Sequence, residues 1–295
     1  MTRLAVVAHR DKTLGGGLPQ LRSLLADRGF PDPLWYEAAK SKRTPRLARR
    51  AIEEGADLVF VWGGDGTVQR CVDVVAGSPA ALAILPAGTA NLLATNLQIP
   101  IDLPAAVDVG LHGARRVIDL GVLNGERFAV MAGAGFDAKM MKGAQGTLKD
   151  RFGRVAYVWS GIRATRGRAE RCEIAIDGKR WFKGRATCVL LANMGTLSGG
   201  IRAFRGASPN DGKLDVGVVT ASGPVEWARV LSRVVTGHPD RSRFTQMTAG
   251  TEVDIRFARP MLYELDGGAR GPERRLRAKA EPAAVTICVP EVERL

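Results

Sequence analysis

Residues 57–75 constrain this chain more than any other stretch. An apolar run, DLVFVW, leaves through Gly63-Gly64-Asp65-Gly66 and resumes at helical spacing with Val68, Val72 and Val75. A continuous apolar run of that length suits a strand covered on both faces, the environment of a parallel sheet. The arrangement recurs: AILPAG (83–88) is a second such strand that leaves through glycine into TANLLATNL (89–97). LAVVAH (4–9) begins the series, and helical patterns over 18–28, 46–54 and 105–111 alternate with the strands. Alternation of this kind over residues 1–115 predicts a parallel α/β domain whose loops gather at the strand C-termini, where such sheets bind ligands.

Glycine adopts positive φ without cost and aspartate bonds its own backbone, so Gly-Gly-Asp-Gly can be no more than a tight turn. Its place between a buried strand and a helix start favours more. Backbone N–H groups and the helix dipole attract an anion there, and the missing Cβ atoms let a phosphate approach. The stretch is neither a Walker A loop nor a G-x-G-x-x-G dinucleotide loop.

From about residue 116 the texture changes. RVIDLGVLN, RFAVMAGAG, CEIAIDG, RATCVLLANM, KLDVGVVT, TEVDIRFA and AAVTICVP read as strands divided by Gly, Asn and Asp turns, with helices over 151–163 and 224–235. The prediction is a mostly antiparallel β-sandwich domain over residues 116–295, its last few residues able to return to the first domain. No linker separates the two, so the expectation is direct packing with an active site in the cleft.

A net charge of +13, from 43 basic and 30 acidic residues, points to an anionic partner. The excess is uneven, since residues 139–171 hold nine Lys/Arg against Asp150 and Glu170. Phe152, Val155, Ala156, Trp159 and Ile162 form an apolar stripe inside that run, with Arg151, Arg154 and Arg163 off it. Two readings stay open: a helix packed on the β domain with solvated basic residues, or a footprint on anionic lipid. Aromatic and basic residues do not interleave, so nucleic acid is not expected. Cys71, Cys172, Cys188 and Cys288 are scattered, which suits reduced thiols in a cytoplasmic protein, and the three histidines share no ligand spacing. Proline, glycine and asparagine break the uncharged stretch 74–101, so any membrane association should be peripheral.

The motifs GGDGTV (63–68), LPAGTANLLATNL (85–97), NDGKLDV (210–216) and LDGG (265–268), in this order, resemble the diacylglycerol kinase catalytic family. That family includes bacterial lipid kinases and sphingosine and ceramide kinases, and is distantly similar to NAD kinases. The resemblance covers essentially the whole chain. It implies an ATP- and Mg²⁺-dependent kinase of a lipid hydroxyl, with diacylglycerol the first candidate and phosphatidic acid the product.

By the resemblance Gly63, Gly64, Gly66 and Thr67 hold the ATP phosphates, and Asp65 positions Mg²⁺ beside the triphosphate. Gly88, Thr89 and Asn91 form a second nucleotide-facing turn; Asn91 could equally be an ordinary polar residue in a helix's first turn. Asp266 is implied as the general base that takes the proton of the lipid hydroxyl, although Asp-Gly is also a hairpin turn. Asp211 is implied as a carboxylate ligand of a structural Mg²⁺, with Ser208 and Lys213 giving backbone oxygens; a plain Asn-Asp-Gly turn is the alternative.

Three departures stand out. Arg70 and Gly268 occupy places where bacterial members commonly carry glutamate, and AHRDKTLGGG (8–17) replaces an Asn-Pro loop. An NAD-kinase-like enzyme and a non-catalytic nucleotide- or lipid-binding relative therefore stay open, as does a homodimer. Retention of both Asp65 and Asp266 favours chemistry.

Overall fold

A computed structural model describes residues 2–135, 169–197 and 200–291. The chain divides into two compact units, residues 1–119 with 282–295, and residues 120–281. The helix expected over 151–163 and most of the basic run at 139–171 lie outside the described residues.

In the first unit β1 (Leu4–His9), β2 (Leu34–Ala38), β3 (Leu58–Gly63) and β4 (Ala81–Pro86) pair in parallel in the order β2-β1-β3-β4. Near the chain end Thr286 and Ile287 add a further parallel rung beside Ala81 and Leu82 of β4. Every residue of β3 and β4 is buried, which is why both read as unbroken apolar runs. Helices α1 (Gly17–Asp27), α2 (Thr44–Glu53), α3 (Asp65–Val75), α4 (Leu92–Asn96) and α5 (Leu103–His112) follow the strands. Leu21 and Leu25 of α1 and Val68, Val72 and Val75 of α3 face the core. Each such side chain contributes about 1.5–3 kcal/mol on burial.

Three elements differ from expectation. β2 has no apolar run, because Glu37 is exposed and Trp35 is only half-buried, its ring covered by the Arg22 guanidinium 3.7 Å away. α3 starts at Asp65, ahead of the helical spacing read from Val68, and α4 starts only at Leu92. The late start has a local cause: Asn91 sits at φ +47°, outside helical space.

In the second unit, β5 (Ala114–Leu123), which begins in the first, pairs with β6 (Glu126–Phe128). The rest are β7 (Met131–Ala134), β8 (Glu170–Ile176), β9 (Lys179–Ala186), β10 (Cys188–Ala192), β11 (Thr196–Leu197), β12 (Ile201–Arg202), β13 (Leu214–Val219), β14 (Thr245–Gly250), β15 (Glu252–Leu265) and β16 (Gly268–Val289). Antiparallel pairing runs β14-β13-β10-β7-β15, with β8 and the start of β16 also on β15. Asn124-Gly125, Asp177-Gly178 and Asp266-Gly267 are two-residue hairpin turns with positive φ at both positions, as a type I′ turn requires.

Strand alternation gives this unit two apolar layers. Phe128, Ile174, Leu191, Leu214, Val216, Leu265 and Leu276 fill one. Cys188, Val219 and Ala221 face the other way, under Trp227 and Val230 of α6 (Pro224–Val235). All four cysteines are buried thiols. Among the described residues no helix is long and apolar enough to cross a membrane.

Candidate active-site turns

The first unit brings the two predicted glycine turns together. Gly63 ends β3 opposite Pro86 of β4, so both strands deliver their loops at the same level. A Cβ on Gly88 would lie 2.5 Å from Gly64 Cα, so the turns abut backbone to backbone and neither tolerates a side chain. Asn91 shapes the second turn: its Oδ1 accepts from Gly88 N at 2.9 Å, and its Nδ2 donates to the carbonyls of Pro86 (3.1 Å) and Gly88 (3.0 Å). It caps a turn and is not the first-turn helical residue left open by the sequence.

Asp65 joins the two. Its carboxylate accepts from Asn91 N at 3.0 Å and from Leu92 N at 2.5 Å, two donors at the start of α4. Burial raises its pKa above the usual carboxylate range, and those backbone bonds pull it back down. Asp65 is thus a first-turn helical residue on α3. Any contact with Mg²⁺ would use its remaining lone pairs. Thr67 is buried, its hydroxyl 2.9 Å from that of Ser41, whereas Gly66 and Thr89 are exposed. Arg70 is half-buried one turn further along α3.

Asp266 occupies a different setting. It is the first central residue of the β15–β16 turn, at φ +44° and 7% exposed. Its Oδ2 accepts from Ala129 N at 2.7 Å, and Oδ1 accepts from Val130 N and Met131 N at 2.9 Å each. Residues 129–130 bridge β6 and β7, so these donors need acceptors from elsewhere. The carbonyl side of the same bridge is met by Asn193, whose Nδ2 donates to Ala129 O at 2.8 Å and whose N–H donates to Val130 O at 2.9 Å. Sequence reasoning passed over Asn193; an asparagine ending the apolar run CVLLAN was the available signal. The hairpin-turn reading of Asp266 is realised.

Gly268 also has a structural account. A Cβ there would lie 2.8 Å from Arg270 Nη1, and that guanidinium bonds Gly268 O at 3.0 Å and pairs with Glu126 at 2.7 Å. Arginine fills the space where a glutamate side chain would begin.

At the third motif Ser208 Oγ donates to Asn210 Oδ1 (2.7 Å), and Asp211 Oδ1 accepts from Lys213 N (3.0 Å) across Gly212 at φ +71°. Asp215, four residues on and half-buried in β13, was not singled out from the sequence. Burial first, and the Asp211 charge second, push its pKa up to about 6. The two carboxylates are hard-oxygen donors of the kind that suits Mg²⁺. Among the described residues no group of three or more His, Cys, Asp or Glu side chains could hold a metal.

A parallel α/β unit with paired glycine turns and a β-sandwich unit with a buried Asp-Gly turn define a class, and comparison with known proteins assigns it. Residues 15–123 match the diacylglycerol kinase catalytic domain, and residues 130–289 match the YegS C-terminal NAD kinase beta sandwich-like domain. The chain belongs to the diacylglycerol kinase and YegS lipid kinase family. It is 32% identical over 283 residues to a Klebsiella pneumoniae protein named "probable lipid kinase YegS-like", covering 94% of this chain and 93% of that protein. It is 29% identical over 224 residues to the diacylglycerol kinase of Bacillus subtilis, covering 75% and 74%. In fold it is similar to a diacylglycerol kinase structure from Bacillus anthracis (TM-score 0.73, 18% identity, 97% and 96% covered). It is also similar, more distantly, to an NAD kinase from Archaeoglobus fulgidus (TM-score 0.54, 11% identity, 98% and 94% covered). Membership in a kinase family implies ATP use.

Proposed function

We propose that this protein transfers the γ-phosphoryl group of ATP to a lipid hydroxyl, with diacylglycerol as acceptor and phosphatidic acid as product. The observation that carries the reading is the pair of abutting glycine turns clamped by Asp65, in a chain of this family. The exposed backbone of Gly66 at the α3 N-terminus, with Gly64 and the Thr89 hydroxyl, offers N–H and hydroxyl donors to phosphate oxygens, while Gly88, its N–H held by Asn91, lets the phosphates approach closely. Thr67, tied to Ser41, is assigned to holding the turn. Asp65 acts on the phosphates through the turn it holds, and on Mg²⁺ through its remaining lone pairs. Deprotonation of the acceptor is assigned to the carboxylates at the Asp266 turn of the second unit.

Asp211 and Asp215, with backbone oxygens at Ser208 and Lys213, would hold a structural Mg²⁺, which supplies charge neutralisation and no chemistry of its own. The protein then melts higher in millimolar Mg²⁺ than in chelator, and Asp211→Ala removes most of that difference. The basic run at 139–171 is assigned to an anionic membrane surface, at about 1 kcal/mol per Lys or Arg.

The deciding experiment is phosphoryl transfer from radiolabelled ATP to total lipid extract, to diacylglycerol and to NAD, run separately. Label in phosphatidic acid is the expected result. Label in NADP alone would replace the lipid reading by the NAD-kinase one, and ATP binding without transfer would leave a non-catalytic relative.

A further inference from the structure

The second unit finishes its two outer faces differently. Over β10 and β13, Cys188, Val219 and Ala221 lie beneath Trp227 and Val230 of α6. The other outer face belongs to β9, β8, β15 and residues 275–279 of β16, whose inward side chains include Phe182, Ile174, Ile255 and Leu276. Alternation sends their neighbours outward, where they are exposed or half-buried.

Those outward side chains are mostly basic, and the strand register sets them in rows. Lys183, Glu173, Arg256 and Arg275 stand side by side across the four strands. Arg180, Ala175, Asp254 and Arg277 form the next row, followed by Glu252 beside Lys279. Arg171 and Arg185 pair at the other end. Eight basic side chains therefore share this surface with three carboxylates.

The carboxylates are already engaged in part. Asp254 accepts from Arg275 at 2.6 and 2.8 Å and from Arg256 at 3.2 Å, and Glu173 lies 3.8 Å from Lys183. Arg171, Arg180, Arg277 and Lys279 form no ion pair among the described residues. Two shallow clefts that share Arg256 cut the surface, one beside Arg277 and Lys279, the other beside Lys183 and Arg185.

Neighbouring strands lie about 4.8 Å apart and alternate residues about 7 Å apart, so the charges spread over a plane instead of along a line. Such a spread complements a layer of anionic headgroups. Trp181 and Phe182 pack against the core, so these β9 rings offer no platform for stacking bases. Arg171 is also the last residue of the basic run at 139–171, so the run leads directly into this face.

We propose that the outer face of β9, β8, β15 and β16 docks on an anionic phospholipid surface. The choice of lipid over other polyanions rests on the lipid kinase reading above; the array of charges does not.

The test is partition of the full chain onto phosphatidylcholine vesicles with and without phosphatidylglycerol, at rising salt. Wild type should bind the anionic vesicles alone and leave them as salt screens the attraction. Arg180→Gln, Arg277→Gln and Lys279→Gln combined should weaken that binding about 100-fold, at about fivefold per charge. Melting temperature and activity on a short-chain diacylglycerol should stay as in wild type. Arg180→Lys with Arg277→Lys should bind like wild type, because a plane of headgroups reads charge and not guanidinium geometry. A parallel variant replaces Lys142, Arg166 and Arg168 of the basic run by glutamine. If it loses vesicle binding while the face variant keeps it, this inference falls and the assignment of the run stands. Wild type that binds an oligonucleotide through this face, and no vesicle, also overturns it. Wild type that docks on anionic vesicles through this face yet phosphorylates no lipid removes the kinase reading alone.

Discussion

Asp65 and Asp266 both precede a glycine, and both carboxylates accept backbone N–H groups, yet they solve different problems. Asp65 sits at a helix start in a parallel unit and ties one exposed glycine turn to another through Asn91 and Leu92. Asp266 sits in a type I′ hairpin and closes a buried bridge through Ala129, Val130 and Met131. The first tie shapes a partly exposed pair of turns. The second completes a core. The difference teaches that a shared dipeptide says little until the partners of its side chain are known.

The comparison breaks first at Asp266. Asp266→Ala leaves three buried donors without an acceptor, at about 1–3 kcal/mol each, so chemical denaturation should report a loss of about 3–9 kcal/mol. Asp65→Ala strands two donors, Asn91 N and Leu92 N, that are only partly buried, and should lose about 2–4 kcal/mol. On the proposed function, its transfer rate should fall further than its stability predicts, because the turn assigned to the phosphates loosens. If Asp65→Ala proved the more destabilising of the two, the division into surface tie and core tie would be wrong.

A pH series sharpens the contrast. Glu264 has its folded pKa raised from 4.5 to about 7, so between those values the native state holds a proton that the unfolded chain has released. Stability should therefore fall by about 1–3 kcal/mol as pH rises through that window. Melting of Glu264→Gln across pH 4–8 should lack this part of the decline. A last variant is Gly88→Ala, whose new methyl meets Gly64 Cα and Asn91 Oδ1. Overpacking there should cost about 1–3 kcal/mol, and ATP affinity should drop with it. Unchanged ATP affinity in that variant would separate the abutting turns from nucleotide binding.

Much of this was legible in the residues. Unbroken apolar runs announced β3 and β4 because both faces are covered, and alternation with turn dipeptides announced the antiparallel unit. β2 escaped because an exposed Glu37 and a half-buried Trp35 give it no period to read. α4 was drawn too long because nothing in TANLLATNL reveals that Asn91 would take positive φ to reach Pro86 and Gly88. Asn193 and Asp215 were missed for one reason: each matters through partners set by the fold, and a single sequence does not display those pairs. Gly268 looked like a loss, and only the Arg270–Glu126 pair explains what stands in its place.

The bridge at Ala129–Met131 has a kinetic consequence. Its amides are held by a residue more than 130 positions away, and its carbonyls by Asn193, 64 positions from Ala129. Contacts of that separation form late, since loop closure must precede them. Once formed, they leave no local opening that exposes those amides without dismantling the hairpin. Hydrogen exchange at Ala129, Val130 and Met131 should accordingly follow cooperative unfolding of the second unit, while the amides of the Gly66 turn exchange through small fluctuations.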